Sequence, residues 1–152
     1  MGFTIQPHRS SLGMDANIAV LVIAAAMIVM SWIPYISWVT FAVPLVFFLL
    51  EKESKFVKTM AVQICAVGIV RAVIAIIAQI LMWVMTPRIG FSYTYGLTYR
   101  GNVGGILAVS IITYIITAVL SLLVIYLGYR GYTYKQVELP GLGPLAKNLG
   151  EK

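Results

Sequence analysis

Long apolar stretches are the feature that most restricts the fold of this chain. The two longest, residues 59–85 and 103–129, are each 27 residues long. As α-helices they would reach about 40 Å, more than the ~30 Å hydrocarbon core of a bilayer. Overall, 61% of the residues are apolar and 11% are charged, against about half and about a quarter in soluble domains. This composition excludes a soluble domain, a disordered chain and a disulfide scaffold, and it predicts an integral membrane protein.

We predict an all-α fold, an integral membrane four-helix bundle over residues 16–129. A polar N-terminal tail, 1–15, precedes it and a cytoplasmic tail, 130–152, follows it. Pro34 is expected to end the first helix, and Pro44 is expected to kink the short second helix, because proline lacks a backbone N–H and clashes with the preceding turn. The predicted spans are about 16–33, 37–50, 59–85 and 103–129.

The charges predict the orientation of these helices. Eleven Lys and Arg against five Asp and Glu give a net charge of +6. With four spans, both termini and the loop after the second helix share one side, which carries eight cations, whereas the other side carries Arg88 and Arg100. The positive-inside rule therefore predicts a protein of a cell inner or plasma membrane with both termini in the cytoplasm. Because topology explains the excess of cations, nucleic acid is not a predicted partner. Three tryptophans are predicted at the outer interface: Trp32, Trp38 and Trp83.

Arg71 is the residue that most invites a functional interpretation. It lies inside the third predicted helix, where an arginine costs about 2.5–3.5 kcal/mol to insert, and no acidic residue lies within an apolar span. Its partner could be a carbonyl freed near Pro44, the fourth helix, water, a lipid phosphate or another subunit. A structural clamp and a contact in a pathway or with a partner both remain open. Gln63 and Gln79, eight residues to either side, are predicted to form interhelical hydrogen bonds.

Small hydroxyl residues mark one face of the fourth predicted helix. Their spacing of three, four and four predicts close packing against a neighbouring helix, with a cavity-lining or pore-lining face as the alternative. These residues are Ser110, Thr113, Thr117 and Ser121.

Two segments outside the predicted spans have patterns of their own. The connector 88–102 alternates aromatic and polar residues around Gly96, which is typical either of a short hairpin or of tyrosines in the headgroup layer. In the C-terminal tail, an i, i+3, i+7 pattern predicts an amphipathic helix on the cytoplasmic leaflet or against a partner. Its apolar residues are Leu142, Leu145 and Leu149.

Residues for catalysis or cofactor binding are scarce. The chain has one cysteine, Cys65, and one histidine, His8, which leaves no intramolecular disulfide and makes a histidine-based metal site improbable. No P-loop, GxSxG, CxxC or pair of intramembrane carboxylates is present. We therefore predict no enzyme activity, no cofactor and no metal.

The order of several short motifs resembles a known family. They are the break at 33–34, Val-Pro-Leu-Val-Phe at 43–47, the charged loop 51–58, Ala61-Val62-Gln63, Tyr-Arg-Gly-Tyr at 129–132 and the Leu-Pro-Gly-Leu-Gly-Pro-Leu-Ala segment at 139–146. This order is similar to that of the small four-helix component of the chloroplast inner-envelope translocon (Tic) and its prokaryotic relatives. The resemblance covers about 15–85 and 125–149, and it implies a four-helix fold within a membrane complex. Met60 stands where that family's His-Ala-x-Gln motif has histidine.

These observations favour a non-enzymatic integral membrane protein, an accessory or structural subunit of a larger membrane complex. Its partners would be membrane lipids and other membrane subunits or further copies of the chain. An oligomeric channel or translocon-type conduit is the first alternative. A lipid-binding, membrane-organising protein is the second, because the predicted cytoplasmic side is basic.

Overall fold

The computed structural model describes residues 3–4, 6–33, 36–86, 88–92 and 96–137. Most of these residues are helical, so the helical part of the fold prediction is confirmed. The helices are α1 (Ala16–Ser31), a 3₁₀ helix (Ser37–Val39), α2 (Ala42–Leu50), α3 (Lys55–Met85) and α4 (Val103–Tyr132). Short strands form two antiparallel pairs: β1 (Phe3–Thr4) with β4 (Lys135–Gln136), and β2 (Arg88–Ser92) with β3 (Gly96–Arg100).

The four α-helices differ greatly in length. α3 and α4 have 31 and 30 residues, which corresponds to about 45 Å each. The mean hydropathy of their most apolar stretches is 2.5, so both are long and apolar enough to cross a membrane. α1 has 16 residues and α2 has nine, or about 24 Å and 14 Å. Two of the four predicted spans are therefore shorter than the ~30 Å hydrocarbon core.

The second predicted span begins as a 3₁₀ helix and continues as an α-helix. The 3₁₀ helix ends at Val39, and α2 begins at Ala42. Pro44 is the third residue of α2, within the first turn, where a backbone N–H has no intrahelical acceptor. The proline therefore fits the start of α2, and the change from 3₁₀ to α-helix lies before it.

The apolar core lies in the half of the bundle where α1 packs against α3 and α4. Its largest side chains are at most 2% exposed. They include Val20, Ile23 and Met27 of α1, Met60 and Ile64 of α3, and Val124 and Leu127 of α4.

Two glycines of α4 allow α1 to approach closely. A Cβ atom at Gly128 would lie 2.8 Å from the Cβ of Ala24, and one at Gly131 would overlap the side chain of Val20. Interiors are already close-packed, so neither position has room for a larger residue without displacing α1. The backbone of α4 therefore forms part of the core surface.

Beyond the end of α1, α3 and α4 continue as a two-helix extension that carries a hairpin. Ser110 Oγ lies 3.6 Å from Met82 Sδ across the extension. Asn102 caps α4 by accepting a 2.8 Å hydrogen bond from the backbone of Gly105. Strands β2 and β3 join the helices in antiparallel register, with Arg88 opposite Arg100. Of the two interpretations of the aromatic connector, the structure has the hairpin.

Candidate functional sites at Arg71 and Glu51

Arg71 links α3 to the end of α1. Its side chain is 6% exposed, and Nη2 donates a hydrogen bond to the carbonyl oxygen of Ser31. Ser31 is the last residue of α1, and the last four carbonyls of a helix have no intrahelical donor. The guanidinium therefore satisfies one of these carbonyls and places positive charge at the negative end of the α1 dipole.

This contact answers the question of the Arg71 partner in part. A freed backbone carbonyl is indeed used, but it belongs to α1 and not to the segment near Pro44. Nη1 of Arg71 has no hydrogen-bond partner among the described residues. The geometry fits a structural clamp, and it leaves one guanidinium nitrogen unsatisfied.

The two glutamines of α3 occupy opposite environments. Gln63 is fully buried, and neither its Oε1 nor its Nε2 has a partner within the described part of the chain. Gln79 is exposed. Eight residues along a helix correspond to about 12 Å, so Gln63, Arg71 and Gln79 do not form one polar site. The predicted interhelical hydrogen bonds are not present among the described residues.

Three of the four small hydroxyl residues predicted on α4 form hydrogen bonds within their own helix. Ser110, Thr113 and Ser121 each donate to the carbonyl four residues earlier, at 2.7–2.8 Å. Thr117 is buried. Hydroxyls bonded in this way are small, self-satisfied groups that suit close helix packing.

The tryptophans are exposed but spread along the bundle. Trp32 and Trp38 are about half exposed, and Trp83 is two-thirds exposed. The ring of Trp32 stacks on Tyr114 with centroids 6.5 Å apart. Trp83 lies twelve residues beyond Arg71 on α3, or about 18 Å along the axis. The predicted apolar residues of the C-terminal tail, Leu142, Leu145 and Leu149, lie outside the described residues.

A second polar site, at the opposite end of α1, is centred on Glu51. This carboxylate is 1% exposed and accepts hydrogen bonds from five donors. They are the hydroxyl of Ser10, the backbone N–H and hydroxyl of Ser11 at 3.0 and 2.8 Å, and the backbone N–H groups of Glu53 and Ser54 at 3.1 and 3.0 Å. Burial alone would raise the pKa of Glu51, but hydrogen bonds from Ser10, Ser54 and Ser11 outweigh burial and lower the pKa from 4.5 to about 2.

His8 connects this site to the rest of the bundle. Its Nε2 lies 2.7 Å from Ser54 Oγ and its Nδ1 lies 3.0 Å from the carbonyl oxygen of Gln6. The ring contacts Phe56 and Tyr134, with centroids 6.3 and 6.4 Å away. Residues 6–15 therefore form a cap, here called the N-terminal cap, that joins the α2–α3 loop to the end of α4.

Ser54, which contacts both Glu51 and His8, also has a structural role at the start of α3. Ser54 is 2% exposed and caps α3 by accepting a hydrogen bond from Val57, so its oxygen is not accessible to a substrate. Within the described residues, no group of three His, Cys, Asp or Glu side chains could hold a metal ion. No local sequence pattern indicates this site, because Glu51 and its serine donors Ser10 and Ser11 are about 40 positions apart.

Comparisons with protein-family models, with curated proteins and with solved structures find no match to this chain.

Proposed function

We propose that this chain is a non-enzymatic integral membrane protein that serves as an accessory or structural subunit of a larger membrane complex. The observation that carries the proposal is the exposure of α4. Only 11% of its most apolar 18-residue stretch is buried, against 39% in α3. Leu107, Ile115 and Leu122 are each about 60% exposed. A soluble monomer rarely exposes such a continuous apolar surface, so lipid tails or an apolar partner must cover it.

The distribution of charge supports an orientation with both termini in the cytoplasm. The N-terminal cap, the α2–α3 loop and the end of α4 lie at one end of the bundle, held together through Glu51 and His8. That end carries most of the described cations, whereas the β2–β3 hairpin carries Arg88 and Arg100. The positive-inside rule favours the first end as cytoplasmic.

We further propose that α3 and α4 cross the bilayer and that α1 and α2 enter it from the cytoplasmic side without reaching the opposite surface. The short lengths of α1 and α2 support this arrangement. A helix of about 45 Å exceeds the hydrocarbon core, so α3 and α4 would be tilted or would project beyond it. This arrangement keeps both termini on one side, as the four-span prediction did.

The exposed apolar surface of the two-helix extension supports the proposal that the chain belongs to a complex. Beyond Arg71, the exposed residues of α3 include Ile76, Ile77 and Ile80, each about half exposed, and neither α1 nor α2 covers them. The resemblance to the Tic-type family supports the same proposal. A conduit would require several copies, because large apolar side chains such as Ile23, Met27 and Ile64 fill the core of a single chain.

The test is recovery of the native complex. Membranes holding a C-terminally tagged chain are washed with alkaline carbonate, solubilised in a mild detergent and resolved on native gels. We expect the chain to stay in the washed membranes and to migrate with other subunits after affinity purification. Release by carbonate would contradict membrane integration, and migration as a partner-free monomer would contradict the subunit role.

A further inference from the structure

An apolar groove of about 330 Å³ runs along the outside of the contact between α1 and α4. Leu21, Ala25 and Ile28 form one wall, and Ile125, Tyr129 and Tyr132 form the other. Ala24 and Gly128 also line it, where the two helices are closest. Every lining side chain is apolar except for the two tyrosine hydroxyl groups, so the groove suits a hydrocarbon ligand.

The end of the groove nearest the N-terminal cap is polar. Asn17 lies one turn before Leu21 on α1, and its amide nitrogen is 3.4 Å from the carbonyl oxygen of Tyr132. The Asn17 amide oxygen accepts a hydrogen bond of 3.2 Å from Tyr134. Lys135 follows directly and is exposed. The groove therefore begins near hydrogen-bonding groups, with Lys135 three residues after Tyr132 in the sequence, and its walls are apolar apart from the two tyrosine hydroxyl groups.

The charge at this end favours an anionic ligand. Among the described residues of the cap, the α2–α3 loop, the first turn of α3 and the segment from the end of α4 to Lys135, cations outnumber carboxylates six to three. The Glu51 carboxylate is already surrounded by five hydrogen-bond donors, so it offers little to a neighbouring cation. An anionic headgroup near the surface gains about 1 kcal/mol for each nearby Lys or Arg.

We propose that the groove binds an anionic phospholipid of the surrounding bilayer, with one acyl chain between α1 and α4 and the phosphate beside Lys135 and Tyr132. The net positive charge at the polar end of the groove supports an anionic lipid over an apolar helix of a second copy. The inference rests on the proposed membrane location.

The experiment counts lipids bound to the full chain. The protein is purified in detergent, titrated with dioleoyl phosphatidylglycerol or dioleoyl phosphatidylcholine, and examined by native mass spectrometry. Ala25→Trp fills the groove from an exposed position, and Ala25→Leu fills it in part if the larger residue prevents folding. Ala108→Trp, at an exposed alanine near the other end of α4, is the matched control. Lys135→Gln tests the headgroup contact, with Arg100→Gln as its charge-matched control.

We expect wild type to bind phosphatidylglycerol more tightly than phosphatidylcholine. Ala25→Trp should lower binding to background and Ala25→Leu should lower it in part, whereas Ala108→Trp should have no effect. Lys135→Gln should weaken phosphatidylglycerol binding about fivefold, and Arg100→Gln should not.

Equal binding of the two lipids, or unchanged binding in both Ala25 variants, would overturn the proposal. If filling the groove instead separated a dimer while the lipid count stayed constant, the occupant would be a second copy. Carbonate extraction of the same variants separates this failure from failure of membrane integration, because a groove variant should remain in the membrane.

Discussion

Replacing Glu51 by glutamine tests whether its buried carboxylate holds the N-terminal cap on the bundle. Glutamine keeps the shape of the side chain but removes the charge that the five donors stabilise. The fall in pKa from 4.5 to about 2 corresponds to at most about 3 kcal/mol. The amide oxygen of glutamine can still accept hydrogen bonds from some of these donors, so we expect a loss of about 2 kcal/mol.

The single buried cysteine provides the assay. Cys65 is buried in α3, so a thiol-reactive fluorophore reports unfolding when that helix opens. A loss of about 2 kcal/mol should lower the melting temperature by about 4–8 °C for a chain of this size. Glu51→Ala should cost more, because it leaves the N–H groups of Ser11, Glu53 and Ser54 without an acceptor. Glu53→Gln is the control, since that side chain is exposed.

The pH dependence of the same melt has a defined sign. The folded-state pKa of Glu51 is depressed, so its contribution is fully present above about pH 4.5 and is lost as the pH falls towards 2. The difference between wild type and Glu51→Gln should therefore be constant from pH 8 to pH 6 and shrink below pH 4.5. A Glu51→Gln melt indistinguishable from that of Glu53→Gln at neutral pH would refute the reasoning.

Three further predictions follow from the helix contacts and from the proposed orientation. Gly131→Ala should lower stability by about 1–3 kcal/mol because the new methyl overlaps Val20, whereas Gly104→Ala, where a Cβ meets no close neighbour, should be tolerated in the same thiol-exposure melt. Arg71→Leu leaves the Ser31 carbonyl without its donor and should lower the free energy of unfolding by about 1–3 kcal/mol, whereas Arg71→Lys should lower it less. Equal stability of wild type and both variants would contradict a structural role for the Arg71–Ser31 contact. In a Cys65→Ser background, an impermeant maleimide should label Gly101→Cys in intact cells and Lys135→Cys only after permeabilisation, and the reverse pattern would invert the proposed orientation.

The helices could be predicted from local patterns, because the length of an apolar stretch and the position of a proline can be read from neighbouring residues. Both membrane-length helices, α3 and α4, lie where the apolar stretches are longest. The course of residues 37–50 was harder to predict. Pro44 was expected to kink a helix over residues 37–50, but proline is tolerated in a first turn, and α2 begins only two residues before it.

The polar sites depend on contacts between residues that are distant in sequence. The donors to Glu51 come from residues 10 and 11 as well as from its own loop, and a serine 40 positions away carries no signal of that contact. Arg71 stood out because a charge within an apolar run is unusual. Its partner could not be predicted, because it is a backbone carbonyl at the end of α1 that lies 40 positions away in the sequence.

Arg71 and Glu51 together explain how two short helices remain attached to two long ones. α1 is fixed at its C-terminal end by the guanidinium of Arg71. At its other end, the segment that leads into α1 is held by Glu51, the residue that directly follows α2. Between these contacts the α1–α4 seam is formed by Gly128, Gly131 and small apolar residues, which offer close packing but no directional bonds. In a membrane, lipid tails are as apolar as the helix surfaces, so apolar contacts alone hold α1 only weakly in one position. The two polar contacts would therefore set the position of α1 along the bundle.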